Sequence, residues 1–297
     1  MKQWILAAAL AVGLGAGVAV AQEGEGMTLE QFVQSLDFKQ GTVVLPGADA
    51  SLDVGNGFHF LAAEDAQRVL EEAWGNPPDD TVLGLLVPDD AGLGSDHSWA
   101  VVVTYSDDGY VSDEDAREID YAEILADMQE ETESYNEQRK EEGYSVMHLK
   151  GWAQPPSYDA AGKRLYWAKE LEVEGADSNA LNYDIRVLGR GGYLSLNAVA
   201  DIGDLARVKD GMEKVLPMAK FNAGHAYADY KDGDKTAAYG LAALVAGGVA
   251  AKSGLFAKLG MLLLGLKKFL VIGLIAFAAG FKKIAGLFKK KPEGTVS

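Results

Sequence analysis

Apolar and polar residues change their spacing several times along the chain, and each change predicts an element. Residues 27–36 carry a helical stripe with Thr28 placed as its N-cap. Residues 42–45 read as a strand ending at Pro46-Gly47, and 57–61 as a second in which Phe58 and Phe60 share a face. Residues 64–74 return to helical spacing, with Ala66, Val69, Leu70 and Ala73 as the apolar stripe and Asn76-Pro77-Pro78 as the stop. Residues 82–87 and 99–105 are apolar on both faces, as strands in the middle of a sheet are. Ser112 is placed to cap the longest helix, expected from Asp113 to Glu142 with acids in its first turn. Strands follow at 146–152 and 165–171. A hairpin, 181–188 and 193–199, then closes around Gly189-Arg190-Gly191-Gly192, and a helix runs over 204–216. The fold class expected is α+β: a mostly antiparallel sheet with packed helices, followed by C-terminal transmembrane or amphipathic helices.

The two ends differ from this body. Lys2 precedes an uncharged apolar stretch, 4–20, and Ala19-Val20-Ala21 supplies a small-x-small cleavage pattern, so residues 1–21 read as a secretory signal peptide. From Thr236 to Ala251 there is no charge, and extension to 257 reaches the roughly 20 residues a helix needs to cross a bilayer. Beyond it, Lys258, Lys267, Lys268, Lys282, Lys283, Lys289 and Lys290 fall in one half of a helical wheel. That pattern fits a helix lying on the inner leaflet against anionic lipid, or else a second span. A second span would place Lys289-Lys290-Lys291 outside, against the positive-inside rule. The organisation expected is therefore a signal peptide, 1–21; an acidic extracytoplasmic domain, 22–235; a transmembrane helix, 236–257; and a basic amphipathic or second membrane segment with the tail, 258–297. The localisation that follows is the bacterial inner membrane, with the main domain in the periplasm and membrane lipid contacted through residues 236–291.

Charge sharpens the division. The chain carries a formal −17, yet residues 236–297 hold nine lysines and a single acid, Glu293. The body is thus more negative than the chain as a whole. Such a surface repels nucleic acid, which rewards Lys and Arg stripes, so nucleic acid is not an expected partner. The absence of cysteine excludes disulfides, thiol catalysis and zinc thiolate sites.

Catalytic patterns are missing as well. His59, His97, His148 and His225 form no pair at metal spacing, and neither HExxH nor G-x-S-x-G occurs. Gly189-Arg190-Gly191-Gly192 reads as a hairpin turn rather than a phosphate cradle. The cluster Asp107, Asp108, Asp113, Glu114 and Asp115 invites a calcium reading but lacks the alternating ligand spacing of an EF-hand loop, and helix capping accounts for it better. Trp74, Trp99, Trp152 and Trp167 read as core or half-core, a shallow aromatic cleft being the sharper alternative. No catalytic residue, metal ligand or cofactor is singled out.

One surface stands apart. If Leu188 faces Tyr193 in the hairpin, then Asn182, Asp184, Arg186, Ser195 and Asn197 share one sheet face, while Tyr183, Ile185, Val187, Leu194 and Leu196 occupy the other and pack on helices. Asp184, Arg186, Ser195 and Asn197 then form one candidate binding patch, with Arg190 at the turn and Trp152 and Tyr158 as flanking aromatics. An Arg with amide and hydroxyl donors suits an anionic ligand. The alternative is a plain solvated face, where an Asp–Arg pair contributes at most about 1 kcal/mol.

The string of short motifs resembles a bacterial membrane-anchored family, Domain of Unknown Function 2167. The matching pieces are Gly57-Phe58-His59-Phe60-Leu61, Trp74-Gly75-Asn76-Pro77, Gly109-Tyr110-Val111-Ser112-Asp113-Glu114-Asp115-Ala116, Gly151-Trp152-Ala153, Leu165-Tyr166-Trp167-Ala168, Leu181-Asn182-Tyr183 and Leu188-Gly189-Arg190-Gly191. The tail from Gly247 to Phe256 resembles it too. The resemblance implies membrane anchoring and carries no assigned activity or catalytic residue. The function expected is a tethered periplasmic binding or interaction module with an envelope protein partner and a role in envelope maintenance. The alternative is a carboxylate-using or metal-dependent periplasmic hydrolase.

Overall fold

A computed structural model describes residues 27–246 apart from 56 and 96. Its frame is a seven-stranded sheet in which every neighbour is antiparallel. The order across it is β3 (Phe58–Ala62), β4 (Val82–Pro88), β5 (Ala100–Ser106), β9 (Tyr193–Asp201), β8 (Ala180–Leu188), β7 (Arg164–Val173) and β6 (Met147–Asp159). Leu188 pairs with Tyr193, the register expected for the hairpin. Strands β1 (Gly41–Leu45), β2 (Ala50–Val54) and β10 (Ala219–Phe221) make a second, three-stranded sheet. The fold is thus a mixture of helices and antiparallel sheet, as the sequence pattern implies.

Alternation decides the faces. On one face of the large sheet Phe58, Phe60, Val101, Val103, Tyr183, Ile185, Leu194 and Leu196 are buried against Val208, Met212 and Val215 of α4 (Leu205–Val215), and against Leu45, Leu52 and Val54 of the small sheet. Each such side chain withdrawn from water contributes roughly 1.5–3 kcal/mol. Gly84 of β4 lets this layer close, because a Cβ there would lie 2.1 Å from the Phe60 ring.

The opposite face is covered in two separate places. At the β3–β4 end, Leu61, Leu85, Val87 and Val102 pack on Ala66 of α2 (Ala63–Arg68) and on Val69 and Leu70 of the turn after it. At the β6–β7 end, Leu149, Leu171 and Val173 meet Leu125 and Met128 of α3 (Tyr121–Glu141), while Leu165, Trp167 and Leu188 meet Val111, Tyr227 and α5 (Leu241–Val245). Between the two lies the stretch of β8 and β9 that carries the polar residues.

Several elements depart from the sequence pattern. Residues 28–34 behave as expected: α1 (Leu29–Gln34) has a capping box, with Thr28 Oγ1 accepting from Gln31 N–H and Gln31 Oε1 accepting from Thr28 N–H. The helix after β3 widens at Val69–Ala73 into a π turn, Trp74 N–H bonding the Val69 carbonyl. This extra residue per turn rotates Ala73 off the buried stripe, and it is exposed. The long helix begins at Tyr121 rather than at Asp113, because Asp120 caps it, accepting from Ala122 and Glu123 N–H at 2.9 and 3.1 Å. Ser112 serves only Glu114, at the head of a single 3₁₀ turn. The small sheet went unpredicted, since β10 is three residues long and takes its pairing from β2, distant in sequence.

Of the apolar segment expected to cross a membrane from 236, the structure describes residues up to 246. Within that piece Leu241, Leu244 and Val245 are buried in the domain. The rest of the expected 236–257 helix, the basic segment 258–297 and the expected signal peptide 1–21 lie outside the described residues. Among the described residues no helix is long and apolar enough to cross a membrane.

Candidate functional site

The polar stretch of β8 and β9 is held by strand pairing alone. Asp184 pairs with Asn197 and Arg186 with Ser195 across the hairpin, and β7 sets Trp167 beside Asp184 and Lys169 beside Asn182. The charges converge on Asp184. Arg186 Nη1 lies 3.0 Å from its Oδ1 and Lys169 Nζ 3.5 Å from its Oδ2. Arg186 Nη1 also donates to Ser195 Oγ at 2.5 Å, and its guanidinium lies over the Trp167 ring, 4.9 Å from the centroid.

The face is not solvated. Asp184 is 2% exposed, Ser195 7% and Asn197 5%. Burial changes the energetics, because a charge removed from water needs partners, and a polar group left without one costs about 1–3 kcal/mol. Asp184 meets that demand through its two cations. Asn197 does not: neither its Oδ1 nor its Nδ2 has a hydrogen-bond partner, and Asp184 Oδ2 accepts none. The site thus combines two cations, one carboxylate and an amide with open valences, over an indole floor.

Of the residues singled out from the sequence, Asp184, Arg186, Ser195 and Asn197 lie side by side on β8 and β9. Arg190 does not join them. It turns away, donating through Nε and Nη2 to Asp234 at 2.7 Å each and through Nη1 to the Gly224 carbonyl at 3.1 Å. The Arg190 guanidinium, with the Lys231 N–H, brings the Asp234 carboxyl down to about 2. Trp152 and Tyr158 lie on β6, across β7 from the patch, and their polar atoms point elsewhere. Trp152 Nε1 donates to the Tyr121 carbonyl at 3.2 Å and Tyr158 Oη to Asp113 at 2.6 Å. Lys169 and Trp167 belong to the site and were missed. Their alternation in Leu165-Tyr166-Trp167-Ala168-Lys169 placed them on one face, but which strand β7 would pair with had no local signal.

The acidic run near 107–115 resolves into separate anchors for the segment 227–242. Asp113 accepts from Tyr158, from Lys163 at 2.7 Å and from Tyr227 at 3.1 Å. Burial pushes its carboxyl up, but these three donors outweigh burial and hold it below the usual range. Burial and the same carboxylate raise the Tyr158 phenol, and burial, a hydrogen bond with Tyr110 and the Asp113 charge raise that of Tyr227. Asp108 accepts from Tyr239, and Asp115 from the N–H groups of Leu241 and Ala242. Each histidine faces one carboxylate: His59 Asp89, His97 Asp204, His148 Glu133 and His225 Asp49. Among the described residues no three His, Asp or Glu side chains are grouped to hold a metal.

The family profile described as protein of unknown function (DUF2167) matches residues 37–278, and the chain belongs to that family. No curated protein matches it. Among solved structures it is similar to cyanobacterial PsbP (CyanoP) from Synechocystis sp. PCC 6803, at 11% identity over 68% of this chain and 98% of that one, with a TM-score of 0.34. It is also similar to the Saccharomyces cerevisiae Ran-binding protein Mog1p, at 9% identity over 63% and 96% of the two chains, with a TM-score of 0.32. At such TM-scores neither likeness bears on function.

Proposed function

We propose that this chain is an inner-membrane-anchored, periplasmic binding module with a role in envelope maintenance, and that it binds through the polar centre of its sheet. The leader-like residues 1–21 and the apolar, lysine-rich residues 236–291 support the location. The observation that carries the binding reading is Asn197, a buried amide with both polar atoms unpartnered beside a buried carboxylate and two cations. A sheet face built only for stability would carry apolar residues there, as the other face of the same strands does.

The test is complementation of a strain lacking the protein, joined to recovery of partners from detergent-solubilised envelopes. Arg186→Ala is expected to fail to restore the phenotype even when raised expression offsets the stability lost with a partner of buried Asp184. Full restoration by Arg186→Ala overturns the binding reading. A reporter fused after Ser297 is expected to be active in the cytoplasm, and activity confined to the periplasm overturns the proposed topology.

A further inference from the structure

The open valences at the sheet centre define what would satisfy them. Asp184 Oδ2 and Asn197 Oδ1 are acceptors without a donor, and Asn197 Nδ2 is a donor without an acceptor. Lys169 Nζ, at 3.5 Å, lies beyond ordinary hydrogen-bond length from Asp184 Oδ2, so it is available to a second anion. A simple anion such as phosphate would meet the donors but leave both acceptors empty and face the Asp184 charge. A simple cation would meet the acceptors and face Lys169 and Arg186. A ligand carrying both an anionic group and a hydrogen-bond donor a few atoms apart completes the set, taking the place of the ordered water that such buried groups otherwise hold.

We infer that the site binds a small zwitterion, with the chemistry shared by a free amino acid and a short peptide whose charged termini lie close together. The inference rests on the binding reading above and names its ligand class. In this arrangement the ammonium group of the ligand donates to Asp184 Oδ2 and Asn197 Oδ1. Its carboxylate accepts from Asn197 Nδ2 and pairs with Lys169, while Arg186 stays on Trp167 and holds Asp184 in place. Entry requires the Lys169 side chain, 14% exposed, to swing aside, and its flexible stem makes that motion cheap compared with moving a strand.

Full-length protein in detergent provides the test, by thermal unfolding and calorimetric titration. The zwitterionic probes are the common L-amino acids and the dipeptide Ala-Ala, and the controls are acetate, methylammonium and phosphate. At least one zwitterion is expected to raise the Tm by about 5 °C or more near saturation, with the three controls inert. A shift by free amino acids and not Ala-Ala, or the reverse, tells the two sources apart. Asp184→Asn is expected to weaken the active zwitterion at least tenfold. Asn197→Leu is expected to abolish the shift while leaving the unliganded Tm unchanged or raised, because it removes an unpaired buried amide. A lowered unliganded Tm in Asn197→Leu would mean that the amide is structural, and it overturns the site. If acetate or phosphate stabilises more than any zwitterion, the ligand class is wrong while the binding reading stands. If no probe acts and Arg186→Ala still fails to complement, the zwitterion is overturned and a macromolecular partner remains. If no probe acts and Arg186→Ala complements, both fall.

Discussion

The Asp115 carboxylate accepts the backbone N–H groups of Leu241 at 3.1 Å and Ala242 at 3.3 Å, across more than a hundred residues of chain. It is the N-terminal cap of α5, supplied from another part of the fold because Gly240, at the cap position, has no side chain to give. A Cβ at Gly240 would lie 2.4 Å from that same carboxylate, so the glycine is what lets the acid approach. Asp115→Ala is expected to lower stability by about 1 kcal/mol, read as a Tm loss of about 2–4 °C. Gly240→Ala should cost more than that, because it displaces the cap as well as losing it.

Acid sensitivity should trace in part to Asp113. Its folded carboxyl titrates below the ordinary value of 3.8, so its contribution is complete above that value and is lost as pH falls through the lower folded one. Melting temperature measured from pH 7 to pH 2 should therefore fall less steeply below about pH 4 in Asp113→Asn than in the wild type. Equal slopes would show that the Tyr158, Lys163 and Tyr227 donors do not favour the charged form.

Asn136 is a buried polar residue of α3, and it serves the edge of the sheet. Its Nδ2 donates to the Met147 carbonyl at 2.8 Å and its Oδ1 accepts from Met147 N–H at 3.0 Å, completing the end of β6 as a neighbouring strand would. Asn136→Leu leaves both backbone groups unpaired and is expected to cost about 1–3 kcal/mol in a denaturant titration. Faster amide exchange should appear at Met147.

Arg190 and Arg186 are close in sequence and should behave oppositely. Arg190→Ala frees Asp234 and the Gly224 carbonyl, so it should loosen residues 222–235 to proteolysis while leaving binding at the sheet centre intact. Arg186→Ala should do the reverse.

Close packing at Gly84 gives a stability test remote from the site. A side chain there meets the Phe60 ring and the Leu61 carbonyl, at 2.1 and 2.6 Å from an added Cβ. Gly84→Val is expected to lower stability by about 1–3 kcal/mol without changing any ligand response.

Local spacing alone marked the strands of the large sheet and the division of the hairpin into two faces, because period-two alternation needs no knowledge of neighbours. Once Leu188 lies opposite Tyr193, that alternation puts Asp184, Arg186, Ser195 and Asn197 on one face. It did not determine that their face is buried, since burial depends on the helices flanking it and on β7, whose pairing with β8 brings Lys169 and Trp167 into the site. The acidic run 107–115 looked like a cap or a cation loop for the same reason. Its partners, Tyr158, Lys163, Tyr227, Tyr239 and the start of α5, come from elements far along the chain. A carboxylate records in sequence only that it is charged; which donor reaches it was decided by the tertiary structure, because hydrogen bonds form between groups that folding brings within about 3 Å.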